Sequence, residues 1–124
     1  RAACRAHDLA TVFIVAPTTT EERLERIVDR ASGFLYVQAR TGTTGARADV
    51  SDETARSLAR LPETDTPTAV GFGVSTREQA AEIVRAGADG VVAGSVFVDI
   101  VASGERVADR LRETAADLAA GVRS

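Results

Sequence analysis

Residues 67–98 read PTAVGFGVSTREQAAEIVRAGADGVVAGSVFV. Two short apolar runs, at 68–70 and 90–93, are joined by one amphipathic helical pattern. Each run opens into glycine: Gly71-Phe72-Gly73 after the first, Gly94-Ser95 after the second. A strand, a helix and a parallel strand, both strands ending in glycine on the same side, make a βαβ unit. Its helix is expected to start at Ser75 or Thr76, with Glu78 in the first turn. Ala80, Ile83, Val84 and Gly87 then form the buried stripe. If the unit belongs to a barrel, its two glycine corners make a phosphate seat.

Working outward, the same alternation continues in both directions. Upstream, TVFIV at 11–15 is a continuous apolar run of buried parallel-strand type. Leu24, Ile27, Val28 and Ala31 then recur at helical spacing, with Thr19 or Thr20 as cap, Glu21 and Glu22 in the first turn, and Ser32-Gly33 as the stop. FLYVQ at 34–38 is the next strand. A glycine- and threonine-rich loop, ARTGTTGARADV, leads to a short helix capped by Ser51 and broken at Leu61-Pro62. Downstream, VFVDIVASG reads as a short helix. A last helix over about 105–119 presents Val107, Leu111, Ala115 and Leu118, with Gly121 as its terminator. Residues 1–8 read as a helix tail. The pattern is four parallel strands with alternating helices, half of an eightfold barrel, whose complete form usually needs about 250 residues.

Composition narrows the chemistry. The 124 residues form one domain by length, with 44% apolar and 27% charged residues and a net charge of -3. That balance suggests neither a nucleic-acid grip nor a polybasic membrane patch. All fifteen basic residues are arginine, which excludes a Schiff-base lysine and a Walker-type phosphate lysine. One cysteine, Cys4, allows no internal disulfide and no cysteine zinc cluster, and one histidine, His7, nearly excludes a histidine-based metal site. No signal peptide or long apolar run is present, so a cytoplasmic location is the default. The sequence lacks an initiating methionine and opens mid-helix, which points to a fragment.

What the residues can do centres on the glycine corners. Gly73 and Gly94 allow a ligand to approach the backbone closely. The N–H groups of Gly94, Ser95 and Val96, with the Ser95 hydroxyl, converge at a helix start, which holds a dianionic phosphate without any cation. A dinucleotide fingerprint is disfavoured, because GFGVST lacks the third glycine. Tyr36 shares one strand face with Phe34 and Gln38; it either packs in the core or meets an aromatic substrate. Arg40 could meet a carboxylate or phosphate, and Gly42, Thr43, Thr44 and Gly45 suit a closing lid. No general acid or base stands out. Asp49, Asp52 and Glu53 are explained by helix capping, Asp89 lies at the opposite strand end, and Asp99 follows the phosphate corner.

Three blocks, VFIVAPTTTEERL, FLYVQARTGTTGA and AVGFGVSTREQAAEIVRAGADGVVAGSVFV, closely resemble the second half of the tryptophan synthase alpha subunit family. The resemblance covers essentially the whole chain and implies a (β/α)8 barrel of which these residues form strands five to eight, a single partial domain over 1–124. It implies cleavage of indole-3-glycerol phosphate to indole and glyceraldehyde 3-phosphate, with no cofactor in this subunit, pyridoxal phosphate residing in the beta subunit. By motif it puts phosphate contacts on Gly45, Gly73, Gly94 and Ser95, aromatic contacts on Tyr36 and Phe72, and a mobile loop on Arg40 and Thr44. Two positions depart from the family pattern: Ala39 stands where a serine is usual, and Thr43 where an apolar residue is common. The family's catalytic glutamate and aspartate belong to the preceding half. The fragment alone is therefore expected to be inactive, pairing with its missing half or with itself, and the alternative is a non-catalytic phosphate-binding half-barrel.

Overall fold

The computed structural model describes residues 2–39 and 52–124. In chain order the elements are α1 (Ala2–Ala6), β1 (Phe13–Val15), α2 (Glu21–Val28), β2 (Leu35–Gln38), α3 (Asp52–Ala59), β3 (Thr68–Gly71), α4 (Arg77–Arg85), β4 (Gly90–Val92), α5 (Ser95–Ser103) and α6 (Val107–Val122). The strands form one parallel sheet in the order β1-β2-β3-β4. This is half of a (β/α)8 barrel, as the alternation of strands and helices in the sequence predicts.

Helices cover one face of the sheet. Val15, Val37, Val70 and Val91 align across the register on that face. The first three are fully buried and join Leu24, Leu58, Val74, Ala80, Ile83 and Leu118 in the core, with Val91 packed against its margin. Burying a Val or Leu side chain contributes about 1.5–3 kcal/mol, so this layer dominates the fold's stability. The other face carries the row Ile14, Tyr36, Ala69, Gly90. Ile14 is 65% exposed there. That uncovered face corresponds to a barrel interior.

Several ends differ from the sequence expectation. Gly87 does not lie on the buried stripe of α4. It is exposed at φ +110° just past the helix, where its N–H donates to Val84 O and that of Ala88 to Ile83 O. This is a Schellman close, a conformation glycine adopts without a Cβ penalty. Gly121 does not end α6, which runs on to Val122. It is buried against α4, and a Cβ there would collide with the Arg77 carbonyl. Helix α2 ends at Val28, ahead of Ser32-Gly33, and Thr20 occupies its cap position without a side-chain bond. Thr19 Oγ1 instead accepts from Ala16 N at 2.9 Å.

At the N-terminal ends of β3 and β4, Asp89 acts as a clip. Its carboxylate accepts from Thr68 N at 2.8 Å, and its own N–H donates to Thr68 O at 2.9 Å. Asp89→Ala leaves the Thr68 N–H, on a buried residue, without its acceptor. The expected loss is about 1–2 kcal/mol, read as a lower urea midpoint at unchanged slope.

Candidate functional site

All four parallel strands point their C-terminal ends the same way, so the segments after β3 and β4 meet at one rim of the sheet. After β3 the chain turns through Phe72 and Gly73, both at φ +87°. Glycine adopts that conformation freely, whereas a bulky L residue is strained in it. Phe72 is nevertheless 66% exposed, so no burial of its ring offsets the strain within the described chain. The backbone aims an aromatic ring outward over the rim.

Tyr36 reaches the same rim from β2. Its hydroxyl and Cζ fill the space a Cβ on Gly71 would need, with Val92 Cβ on the other side. Gly71 was not a candidate site residue from sequence. Its signal was its place in the Gly71-Phe72-Gly73 corner, two register steps beyond the Ala69 that pairs with Tyr36 and so on the same sheet face. A side chain at position 71 would have to displace the tyrosine ring from this place.

The two helix starts beside the rim differ in a way that matters for an anion. Helix α4 closes its own: Gln79 N donates to Thr76 Oγ1 at 3.2 Å, while Gln79 Oε1 accepts from Thr76 N at 3.2 Å and Ser75 N at 2.9 Å. This capping box is written in the sequence as Thr76-x-x-Gln79. Helix α5 has Gly94 as N-cap and no side-chain cap bond. Phe97 N and Val98 N donate to Gly94 O, and the N–H groups of Ser95 and Val96, in the first turn, have no intrahelical acceptor. A Cβ on Gly94 would meet nothing within 4 Å, so the approach to these donors is open. The positive end of the helix dipole points the same way.

Tyr36, Phe72, Gly73, Gly94 and Ser95 thus come together at one rim. Arg40, Thr44 and Gly45, like Asp49 and Ser51, lie outside the described residues. Among the carboxylates considered from sequence, Asp89 sits at the opposite strand ends, and Asp52 and Asp99 are exposed on α3 and α5. Cys4 and His7 form no site: Cys4 is a free, half-buried thiol, and His7 lies beyond the end of α1. Among the described residues no three His, Cys, Asp or Glu side chains cluster to hold a metal ion, and no helix is long and apolar enough to cross a membrane.

A sequence profile described as tryptophan synthase alpha chain matches residues 1–123. The chain belongs to the tryptophan synthase alpha chain family. Its alpha-chain relative from Halobacterium salinarum is 59% identical over 128 residues, spanning 98% of this chain and 46% of the relative. The relative from Haloferax volcanii is 54% identical with the same coverage. Among solved structures, a ligand-free mutant form of tryptophan synthase from M. tuberculosis superposes with a TM-score of 0.81 at 36% identity, covering 99% of this chain and 44% of that one. A mutant alpha-subunit from Pyrococcus furiosus gives a TM-score of 0.80 at 35% identity over 92% of this chain and 46% of that one. The chain spans about half the length of the alpha chains it matches.

Proposed function

We propose that these residues are the phosphate-anchoring half of an indole-3-glycerol-phosphate lyase acting in tryptophan biosynthesis. The observation that carries this reading is the open, uncapped start of α5 beside the Phe72-Gly73 corner, in a chain whose family match runs from end to end. The substrate's phosphate would accept from the Ser95 and Val96 N–H groups and the Ser95 hydroxyl. Gly73 and Gly94 would let it approach, while Phe72 and Tyr36 would border its indole end.

The reaction breaks the bond between the indole ring carbon and the glycerol chain. The ring carbon gains a proton, and the neighbouring hydroxyl loses one as it becomes the aldehyde. Both transfers need a carboxylate within hydrogen-bond reach; of the described carboxylates weighed for this role, Asp89 sits at the opposite strand ends and Asp52 and Asp99 are exposed on α3 and α5. Residues outside these 124 would supply that chemistry. The role of the half described here is orientation: binding energy at the phosphate holds the reacting end in register. Arg40, Thr44 and Gly45 would close over the bound substrate, and indole would pass to a pyridoxal-phosphate beta subunit.

The test is a titration of the chain with inorganic phosphate, followed by amide NMR. The Gly73, Gly94, Ser95 and Val96 signals should shift together. Gly94→Asp has room for its side chain and places a carboxylate on the same donors. It should change stability by only a few tenths of a kcal/mol while weakening phosphate at least about tenfold through like-charge repulsion. Undiminished binding by this variant would sink the assignment of the seat.

A further inference from the structure

Helix α4 holds an acceptor of its own where an anion would otherwise sit. Gln79 is only 6% exposed, and its Oε1 receives Ser75 N at 2.9 Å, Thr76 N at 3.2 Å and Ser75 Oγ at 3.3 Å. Backbone N–H groups only donate, so the atom facing them is the amide oxygen and not the amide nitrogen. Three donors converging on one oxygen is the arrangement that a phosphate oxygen takes at a helix start. Here the side chain supplies that oxygen from within the helix, and its burial keeps it in place.

The position matters because the two helix starts share a groove. Ser75, Thr76, Arg77 and Glu78 of α4 and Val96 of α5 line it, and Thr114 and Asp117 of α6 complete a volume of about 430 Å³. Val96 is one of the two residues whose N–H groups are open at the start of α5. A ligand seated there by one phosphate therefore has a path along the groove to the start of α4. Arg77 would favour a second phosphate on that path, whereas Glu78 and Asp117 would oppose it. With the charged side chains divided, the backbone donors of α4 decide, and Gln79 occupies them.

We propose that Gln79 is a specificity-determining residue: by occupying the donors of α4 it restricts the rim to ligands that carry a single phosphate and turns away diphosphates and bisphosphates. The seat on α5 rests on the reading proposed above; the closure of α4 rests on Gln79. Loss of the Gln79 oxygen would free Ser75 N, Thr76 N and the Ser75 hydroxyl. They would join the first-turn N–H groups of α4 that lack an intrahelical acceptor. The capping box that starts the helix thereby also limits what the rim accepts.

The experiment uses the full chain, with inorganic phosphate and inorganic tripolyphosphate as probes, amide NMR for location and calorimetry for affinity. In the parent chain both probes should move the Ser95 and Val96 signals and leave Ser75 and Thr76 in place. Gln79→Met keeps most of the side-chain volume and offers only a weak sulfur acceptor. In that variant phosphate should also move Ser75 and Thr76. The ratio of tripolyphosphate to phosphate affinity should rise at least about tenfold above the parent's, the order of one hydrogen bond to a charged group. Gln79→Glu keeps the acceptor, and its ratio should not rise. E78Q/D117N, altered only at exposed positions, removes the two repelling carboxylates and should keep the parent's pattern, which tests the proposal even where Gln79→Met does not fold. Two results would overturn it: Ser75 and Thr76 shifts in the parent or in E78Q/D117N, or a folded Gln79→Met chain with neither new shifts nor a higher ratio. The two readings fail separately. Shifts at Ser75 and Thr76 gained in Gln79→Met, with none at Ser95 or Val96 in any chain, remove the proposed seat and leave the closure of α4 standing. Shifts at Ser95 and Val96 with no gain in Gln79→Met do the reverse.

Discussion

The 124-residue chain alone is expected to cleave indole-3-glycerol phosphate at less than about a thousandth of the rate of the complete Halobacterium salinarum relative. A positioned general acid or base contributes about 10²–10⁴-fold, and the proposed reaction needs a proton delivered at one carbon and removed from one oxygen. Of the described carboxylates weighed for this role, Asp89 is committed to Thr68 at the far end of the strands, and Asp52 and Asp99 are exposed on α3 and α5. The assay is indole release by the purified chain, with and without the separately expressed first half of the relative. Activity should appear on mixing and should be absent from either part. Turnover by the chain alone, lost in Gly94→Asp, would mean that a proton-transfer group lies within these residues.

The second large effect concerns Gly121. Its Cα lies where α6 crosses α4, and any Cβ would overlap the Arg77 carbonyl and touch Ala80 Cβ at 3.0 Å. A carbonyl in the first turn of α4 cannot rotate aside as a side chain can. Relief requires the two helices to part, or the last turn of α6 to fray and release Val122 from the core margin. Overpacking of this kind costs about 1–3 kcal/mol, while replacing a helical glycine by alanine returns about 1 kcal/mol of propensity. Gly121→Ala should therefore lose little, and Gly121→Val, with more bulk and less propensity, about 2–3 kcal/mol. Urea unfolding followed by circular dichroism reads both. A valine variant as stable as the parent would mean that the crossing is looser than the geometry indicates. Because Arg77 follows directly on the Thr76 cap, the same displacement reaches the Gly73 corner.

The strands were legible because burial on one face left a repeating signature. Leu35 and Val37 alternate with Tyr36 and Gln38, and the apolar runs at β1, β3 and β4 are bounded by glycine, proline or polar residues. The glycine corners were legible for the same reason: two of them recur one βα unit apart. Glycines whose role depends on a distant element were not. Nothing near Gly121 in the chain announces α4, and Gly87 satisfies the helical spacing of the stripe although backbone geometry puts it beyond the helix. The tyrosine ring over Gly71 is a cross-strand fact that only the register supplies. The strain at Phe72 had no sequence signal, since the flanking glycines alone suggested relaxed turns.

The contrast between α4 and α5 has a consequence for how the chain responds to its surroundings. The two helices are equally long, nine residues each. One completes its first turn from its own sequence, and the other leaves that turn to whatever approaches from solvent. A ligand that fills the vacancy binds the folded chain and has no equivalent place on the unfolded one. Its concentration then becomes a term in the folding equilibrium, and at a hundred times its dissociation constant it adds about 2.7 kcal/mol. The melting temperature of this chain would thus serve as a gauge of anion supply, with the fold sturdiest when such an anion is abundant.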